Sequence, residues 1–177
     1  MSEEACLDLW DIREVTAFAA ENAADVLTIF EKTDPSDLRP RDAITAAWAF
    51  ARGGLRVKAL RDVSWAALRA AQESKDEAAN QAARAAMAAA AASYLHPLPR
   101  STQIKHILGA AAHAARATEL VANENHSAGA KFIEGVARRA TPRLVDILSR
   151  YPPAPSKDGR VGELIRALDL QLRGPNT

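Results

Sequence analysis

Ala85-Ala86-Met87-Ala88-Ala89-Ala90-Ala91-Ala92 is the stretch that decides the fold, because it carries no polar residue on any side. Alanine has the highest helix propensity of all residues, so the stretch predicts the inner part of a helix over residues 76–94. A helix that is apolar all round is normally buried. Methyl side chains also let neighbouring helices approach to the short end of the usual packing range, about 8 Å. We therefore expect this helix to be the central pillar of the protein.

The composition of the whole chain favours the same fold class. Of 177 residues, 40 are alanine, whereas only 16 are valine or isoleucine and 8 are glycine. The length favours one domain. The scarcity of β-branched residues excludes a β-rich fold. The sequence thus predicts an all-α, single-domain, alanine-rich multi-helix bundle.

Apolar residues at helical spacing predict further helices on both sides of the pillar. The predicted helices, the pillar included, cover residues 11–33, 40–52, 57–75, 76–94, 101–123, 130–150 and 160–173. Ser101 or Thr102 is expected to cap the fifth helix, and Pro142 is a candidate site for a kink in the sixth. The six to seven helices are compatible with stacked helical hairpins. We assign residues 1–150 to the bundle, 151–159 to a Pro-rich linker, and 160–173 to a C-terminal helix that packs on the bundle.

Charge is distributed unevenly along the chain, although the formal net charge is only +1. The first 37 residues contain 10 acidic and 2 basic residues, a net of −8, so residues 38–177 carry +9. Glu14, Glu21 and Asp25 follow one another at intervals of seven and four residues, which places them in one row of the first helix. Such a row is a solvated stripe, an ion-pair surface against basic parts of the same chain, or an acidic face for a protein partner.

Two arginines lie where the helix dipole disfavours them. Arg39 and Arg41 flank Pro40 at the start of the second predicted helix. We expect nearby aspartates or the acidic first helix to compensate these cations in a structural clamp. The functional alternative is a site for an anion or a carboxylate.

Two tryptophans have different environments in the pattern. Trp48 shares the inner side of its helix with Ile44 and is predicted in the core. Trp65 lies off the apolar stripe, on the side of Lys58 and Arg69, so it either packs on another helix or stays partly exposed. Aromatic residues edged by cations are enriched at interfaces. The candidate partner-binding residues are therefore Glu14, Glu21, Asp25, Trp65, Arg39 and Arg41.

The sequence contains no recognised catalytic motif. It has no phosphate-binding loop, dinucleotide fingerprint, His-Glu-x-x-His pair or nucleophile elbow. The single Cys6 excludes an internal disulfide and cysteine-rich zinc sites. His106 and His113 share a helix with His96 just before it, but seven residues separate the first two rings by about 10 Å, too far for one zinc ion. We predict no catalytic residue, metal or cofactor.

The same observations bound the location of the protein. No apolar run reaches the roughly 18 residues needed to cross a membrane, and the N-terminus lacks the basic and apolar parts of a signal peptide. A lone cysteine suits a reducing compartment. The near-zero net charge argues against nonspecific binding to nucleic acid. We expect a cytoplasmic protein that binds neither membrane nor nucleic acid.

One segment is similar to a known family. Residues 39–54 read Arg-Pro-Arg-Asp-Ala-Ile-Thr-Ala-Ala-Trp-Ala-Phe-Ala-Arg-Gly-Gly, and Ala-Ala-Arg-Ala-Ala follows at 82–86. With the alanine- and histidine-containing residues 109–117, they resemble the immunity proteins of bacterial toxin systems, in the group called immunity protein 5-like. The chain departs from the family pattern at Phe50, where tryptophan is usual, and at Gly54, where an acidic residue is usual. The resemblance implies an all-helical cytoplasmic protein that binds and neutralises a toxin without chemistry of its own.

Two classes of function follow. In the first, the protein is a non-catalytic binder whose acidic row and Trp65 contact a protein partner such as a cognate toxin. In the second, a pocket near the histidines of the fourth and fifth helices holds a small molecule or a metal, as in a binding protein or an enzyme. Homodimerisation through an alanine-rich face remains an open third role.

Overall fold

The computed structural model describes residues 6–156 and 159–174. Within these residues the protein contains nine α-helices, one short 3₁₀ helix and no β-strand, which confirms the all-α class. The helices are α1 (Leu9–Ala24), α2 (Leu27–Thr33), α3 (Arg39–Ala51), α4 (Lys58–Glu73), α5 (Glu77–Ala92), α6 (Ile104–Val121), α7 (His126–Arg139), α8 (Pro142–Ser149) and α9 (Arg160–Arg173), with the 3₁₀ helix at Ser101–Gln103. None of the described helices is long and apolar enough to cross a membrane.

The alanine-rich helix α5 is the central pillar, as its sequence predicts. It packs against α1, α2, α3, α4 and α6. Its ten buried residues are all alanine. Because methyl groups require little space, α4 and α6 can lie close on either side of α5, and these are the two most extensive helix pairings in the described structure.

The predicted single helix over residues 11–33 is wrong, because the chain breaks it into α1 and α2. The break lies at Asp25–Val26, where Val26 leaves the helical conformation with φ −117° and ψ 1°. This change of direction lets Val26, Leu27 and Phe30 bury their side chains in the core beside α5. Burying these apolar side chains stabilises the break more than continuous helical hydrogen bonding would.

The predicted sixth helix is also divided, and Pro142 marks a full break rather than a kink. Helix α7 ends at Arg139, and Ala140 is extended with ψ 131°. Thr141 caps α8 by accepting a hydrogen bond from the Leu144 backbone N–H, and Pro142 occupies the first turn. A proline disfavours helical geometry in the preceding residues and suits the first turn of a new helix.

Helix α6 begins without the predicted serine or threonine cap. Ser101 and Thr102 lie in the 3₁₀ helix, and Gln103 precedes α6 with no side-chain cap hydrogen bond. The prediction that Ser101 or Thr102 caps this helix is therefore wrong. A 3₁₀ turn supplies the first hydrogen bonds in its place, which is common at helix N-termini.

The C-terminal helix α9 packs on α6, α7 and α8. The preceding Pro-rich segment contacts the bundle: the Tyr151 hydroxyl donates to the His96 carbonyl at 2.7 Å, and the Ala154 backbone N–H donates to Asp169 at 2.9 Å. Burial of Tyr151 raises its pKa to about 12, so this phenol keeps its proton and its hydrogen bond. Two residues of the predicted linker, Lys157 and Asp158, lie outside the described residues.

Candidate partner-binding groove

The acidic row of α1 is covered by residues from α7 and from the turn before α8. Arg139 contacts Asp25 at 2.7 Å and Glu21 at 3.7 Å. The Thr141 hydroxyl donates to the Glu14 carboxylate. The three predicted acidic candidates thus have intramolecular partners. Glu3 and Glu4, which add to the N-terminal charge, lie outside the described residues.

The same contact continues along α1 at Asp11, whose carboxylate is buried. Arg143 and Arg150 of the α8 region reach it at 2.8 Å and 2.7 Å. Burial raises the pKa of Asp11, but hydrogen bonds from Arg150, the Asp8 backbone and Arg143 outweigh it and lower the pKa below its usual value. We call the contacts of Arg139, Arg143 and Arg150 with α1 the arginine seam.

Arg39 and Arg41 are also engaged within the chain. Arg39 contacts Asp37 at 2.7 Å and Glu73 of α4 at 2.5 Å, while Arg41 contacts Glu31 of α2 at 2.5 Å. Hydrogen bonds from Arg39 lower the pKa of Asp37. These ion pairs link the start of α3 to α2 and α4, which is the arrangement expected of a structural clamp.

The two tryptophans differ in burial. Trp48, predicted in the core, is only partly buried, and the Arg52 guanidinium stacks 4.9 Å from its ring centre. The core prediction is only partly correct: Trp48 packs against the core cluster from its rim, while Ala43, Ile44, Ala47 and Phe50 are the buried residues of α3 around it. Trp65 is 56% exposed on α4, so of the two alternatives for this residue the structure has the exposed one.

Trp65 lies on the wall of a groove of about 680 Å³ between α4 and α6. Helices α4 and α6 form the two walls of the groove, α5 forms most of the floor between them, and α9 adds one residue. Its lining residues are Arg61, Ser64, Trp65 and Leu68 of α4; Met87, Ala88 and Ala91 of α5, with Tyr94 just beyond its end; Lys105, His106, Gly109 and His113 of α6; and Ile165 of α9. Trp65, His106 and His113, which came from two different functional hypotheses, therefore share one cavity.

The three helices line the groove over nearly the same length. The lining residues run from 61 to 68, from 87 to 94 and from 105 to 113, which are intervals of seven, seven and eight residues. Seven residues correspond to two helical turns and about 10 Å. The groove is thus a straight trough, two turns long, over the side of α5 that no other described helix covers.

Small side chains on the floor explain why the trough is deep. Ala88 and Ala91 present only methyl groups, and Gly109 presents none. A methyl group added at Gly109 would meet only Ala88 and Lys105, both at 3.9 Å. Glycine is unfavourable inside a helix by up to about 1 kcal/mol relative to alanine, and no close contact requires it here. Its absence of a side chain leaves space on the groove floor.

Both groove histidines are held neutral. Burial, together with the nearby Arg84, lowers the pKa of His113 to about 4. Its Nδ1 lies 2.7 Å from the Gln81 amide oxygen, so Nδ1 donates this hydrogen bond and Nε2 is left as an acceptor. Burial and the adjacent Lys105 lower the pKa of His106 as well. At neutral pH neither ring adds charge to the groove.

The cations of the groove lie at one of its ends. Arg61 stacks 4.8 Å from the ring centre of Tyr94, which places the start of the α4 wall beside the end of α5. Lys105 lies at the start of α6, which packs antiparallel to α5 and so reaches the same end. No aspartate or glutamate is among the lining residues. The trough is therefore apolar along its length and positively charged at one end.

The histidines do not form a metal site in the described part of the chain. His96 lies apart from the groove, where its Nδ1 accepts a hydrogen bond from the Leu98 backbone N–H at 3.1 Å. No group of three or more histidine, cysteine or acidic side chains suited to a metal ion occurs among the described residues.

Comparison with known proteins shows the family to which the chain belongs. A family model described as Imm-5 like putative immunity protein matches residues 7–140. The chain belongs to this family. The resemblance carried by the Arg-Pro-Arg segment is thereby confirmed. Neither the curated proteins nor the solved structures include a match to the chain.

The family match covers the groove almost completely. Of the lining residues, only Ile165 lies beyond residue 140, whereas α8 and α9 as a whole follow the matched region. Sequence reasoning found Trp65 and the histidines but missed Arg61, Tyr94 and Lys105. The spacing of Arg61, Trp65 and Leu68, which lie beside the buried stripe of Leu60, Ser64, Ala67 and Ala71 on α4, is the signal that could have revealed the wall.

A second feature that the sequence analysis did not predict is a buried carboxylate that joins α9 to the bundle. Glu119 of α6 is fully buried and contacts Arg160 of α9 at 2.6 Å and Arg116 at 3.1 Å. Gly129 of α7 provides the space, since a methyl group there would lie 2.5 Å from Cγ of Glu119. Glu119 follows Ala111 and Ala115 at intervals of four on the buried side of α6, and this position was the available signal.

Proposed function

We propose that this protein is a non-catalytic, cytoplasmic immunity protein that neutralises a toxin by binding it, and that the groove is the binding surface. The observation that carries the proposal is Trp65, a large aromatic side chain left 56% exposed beside an uncovered apolar trough. Tryptophan and arginine are the residues most enriched among those that dominate binding energy at protein interfaces. Arg61 and Trp65 lie one turn apart on the same wall.

The other candidate surfaces support this choice by their internal contacts. Glu14, Glu21 and Asp25 would have to exchange Thr141 and Arg139 for groups of a partner. Arg39 and Arg41 would similarly have to leave Asp37, Glu73 and Glu31. The groove requires no such exchange among the described residues, where only Ile165 of α9 adds to its lining from outside α4, α5, α6 and Tyr94. Burial of exposed apolar surface favours association directly.

A small-molecule ligand is the second candidate for the same groove. A volume of about 680 Å³ lies in the range of ordinary ligand pockets, roughly 300–1,000 Å³. The few polar groups along its walls, among them Ser64, Lys105 and His113, are the kind that orient a mostly apolar ligand. This alternative keeps the histidine-centred hypothesis open, now with Trp65 in the same site.

The proposal is tested with a toxin gene found beside the gene for this chain. The toxin is expressed alone, with the wild-type chain, or with a variant, and growth is measured. We expect the wild-type chain to restore growth and Trp65→Ala to fail. Trp10→Ala is the matched control, because Trp10 is 63% exposed, stacks on Arg13 and lies outside the groove. Equal protection by wild type and Trp65→Ala would contradict the groove as the binding surface.

A further inference from the structure

The shape and charge of the groove point to the segment of the toxin that it receives. We propose that the groove binds an amphipathic helix of the toxin, about two turns long, with its apolar side against α5 and a carboxylate side chain between Arg61 and Lys105. This inference rests on the proposed function and adds the chemistry of the partner segment.

The shape argument begins with the packing of α5. Helices α1, α2 and α3 cover this pillar on its other sides, and α4 and α6 flank the remaining one. In a bundle, a valley between two helices over a third is the place where a further helix packs. Helix α9 contributes one residue, Ile165, to the lining of this valley. The vacant space is therefore that of a helix, and its length of two turns limits the bound segment.

The lining determines which side chains such a helix needs. Ala88, Ala91 and Gly109 leave a deep floor that admits large aliphatic or aromatic side chains of the partner, while Trp65 and Met87 offer adaptable contact area. Helices that bind in grooves insert side chains at intervals of three, four and seven residues. The lining spans an interval of seven residues on the α4 wall and of eight on the α6 wall, which matches three such anchors.

The charge of the groove determines the sign of charge that the bound segment carries. Arg61 and Lys105 are exposed on opposite walls at one end, none of the described carboxylates lines the groove, and both histidines are neutral. A partner carboxylate placed between the two cations would form charge-assisted hydrogen bonds. A basic segment would meet two like charges without compensation. The occupant is therefore an acidic amphipathic helix rather than a basic or uncharged one.

The test measures the affinity of the full chain for the purified toxin by calorimetry. We expect Arg61→Glu/Lys105→Glu to raise Kd by about 100-fold, because both cations then repel the carboxylate. The matched control is Lys75→Glu/Lys131→Glu, which makes the same change in net charge at exposed lysines outside the groove lining and should alter Kd less than about threefold. Circular dichroism checks that both variants keep the helical fold.

Overlapping synthetic peptides of the toxin then identify the segment. We expect the tightest peptide to be an acidic amphipathic helix that binds wild type and not Arg61→Glu/Lys105→Glu. Toxin binding that both double variants retain equally overturns the inference while the proposed function stands. Absence of any toxin binding by wild type overturns both. Stoichiometric binding of dodecanoate without toxin binding would assign the groove to a small anionic ligand. A concentration-dependent dimer that Trp65→Ala blocks would assign the groove to a second copy of this chain. Either result overturns the inference.

Discussion

The arginine seam and the groove are two sides of one helix bundle, and the sequence offers both as partner surfaces. At the seam, Arg139, Arg143 and Arg150 bring their guanidinium groups onto the acidic side of α1. At the groove, α4 and α6 leave one side of α5 uncovered, with Trp65 on the wall. The difference shows that a charged row in a sequence can be satisfied within the chain, whereas no helix of the described residues fills the apolar valley. Variants can break the covered side or sharpen the open one.

The largest expected effect is at a third internal contact, where the buried carboxylate of Glu119 holds α9. Gly129→Ala places a methyl group against Glu119 and should cost about 3 kcal/mol of unfolding free energy, the upper part of the range for overpacking. Gly135→Ala is the matched control on the same helix, since its methyl group would meet only Arg138 at 3.8 Å. Alanine there should be neutral or stabilising by up to about 1 kcal/mol. Urea unfolding measures both, and equal stabilities of the two variants would contradict the packing described around Glu119.

The second effect is a pH dependence that arises in the groove. The pKa of His113 is about 4 in the folded protein, against an ordinary value of 6.5, so only the unfolded chain takes up this proton between those values. Stability should therefore fall as the pH is lowered through this window, by about 2 kcal/mol between pH 7 and pH 5 from this group. His113→Leu should reduce the loss, whereas His126→Gln, at an exposed histidine, should keep it. An unchanged pH profile in His113→Leu would show that His113 is not the group responsible.

The third effect concerns the arginine seam. Arg139→Ala removes the partner of Asp25 and leaves the buried Asn22 side-chain oxygen without its hydrogen bond. We expect a loss of about 1–2 kcal/mol, the usual cost of an unsatisfied buried polar group. The neighbouring and exposed Arg138 provides the control, and Arg138→Ala should change stability by less than about 0.5 kcal/mol. Thermal unfolding measures the midpoint of each variant. Equal midpoints for Arg139→Ala and Arg138→Ala would show that the seam does not stabilise the fold.

The smallest expected effect on stability belongs to the residue with the largest expected effect on binding. Trp65→Ala removes a side chain that is more than half exposed, so we expect a stability loss below about 1 kcal/mol. Its affinity for the toxin should fall by about 30-fold or more, as for other interface hot spots. Calorimetric binding and thermal unfolding of the same preparation separate the two quantities. A loss of binding that only accompanies unfolding would make Trp65 a packing residue.

These contrasts also explain what the sequence could and could not predict. The central position of α5 was predictable, because a run of alanine with no polar side can only be buried. The break at Val26 was not predicted, since it depends on which apolar side chains find space beside the pillar, and the break before Pro142 was predicted only as a kink. Helical periodicity identified Trp65 as lying off the core stripe. It could not show whether another helix would cover that side.

The groove itself depends on tertiary arrangement more than on any local pattern. Its cations Arg61 and Lys105 are 44 positions apart and line the same groove only because α4, α5 and α6 pack side by side. Likewise, the acidic row on α1 was visible in the sequence, while its partner Arg139 lies more than a hundred residues away and its contact is a property of the folded chain. Pairings between distant elements are the information that periodicity does not contain.

Hydroxyl-radical footprinting of the toxin complex tests the central claim most directly. Oxidation of exposed side chains is measured by mass spectrometry for the free protein and for the complex. If the groove is the binding surface, Trp65, Met87 and Tyr94 should be protected in the complex, whereas Trp10 should react as in the free protein. Protection of Trp10 or of the arginine seam, with Trp65 and Met87 unchanged, would contradict the assignment of toxin binding to the groove.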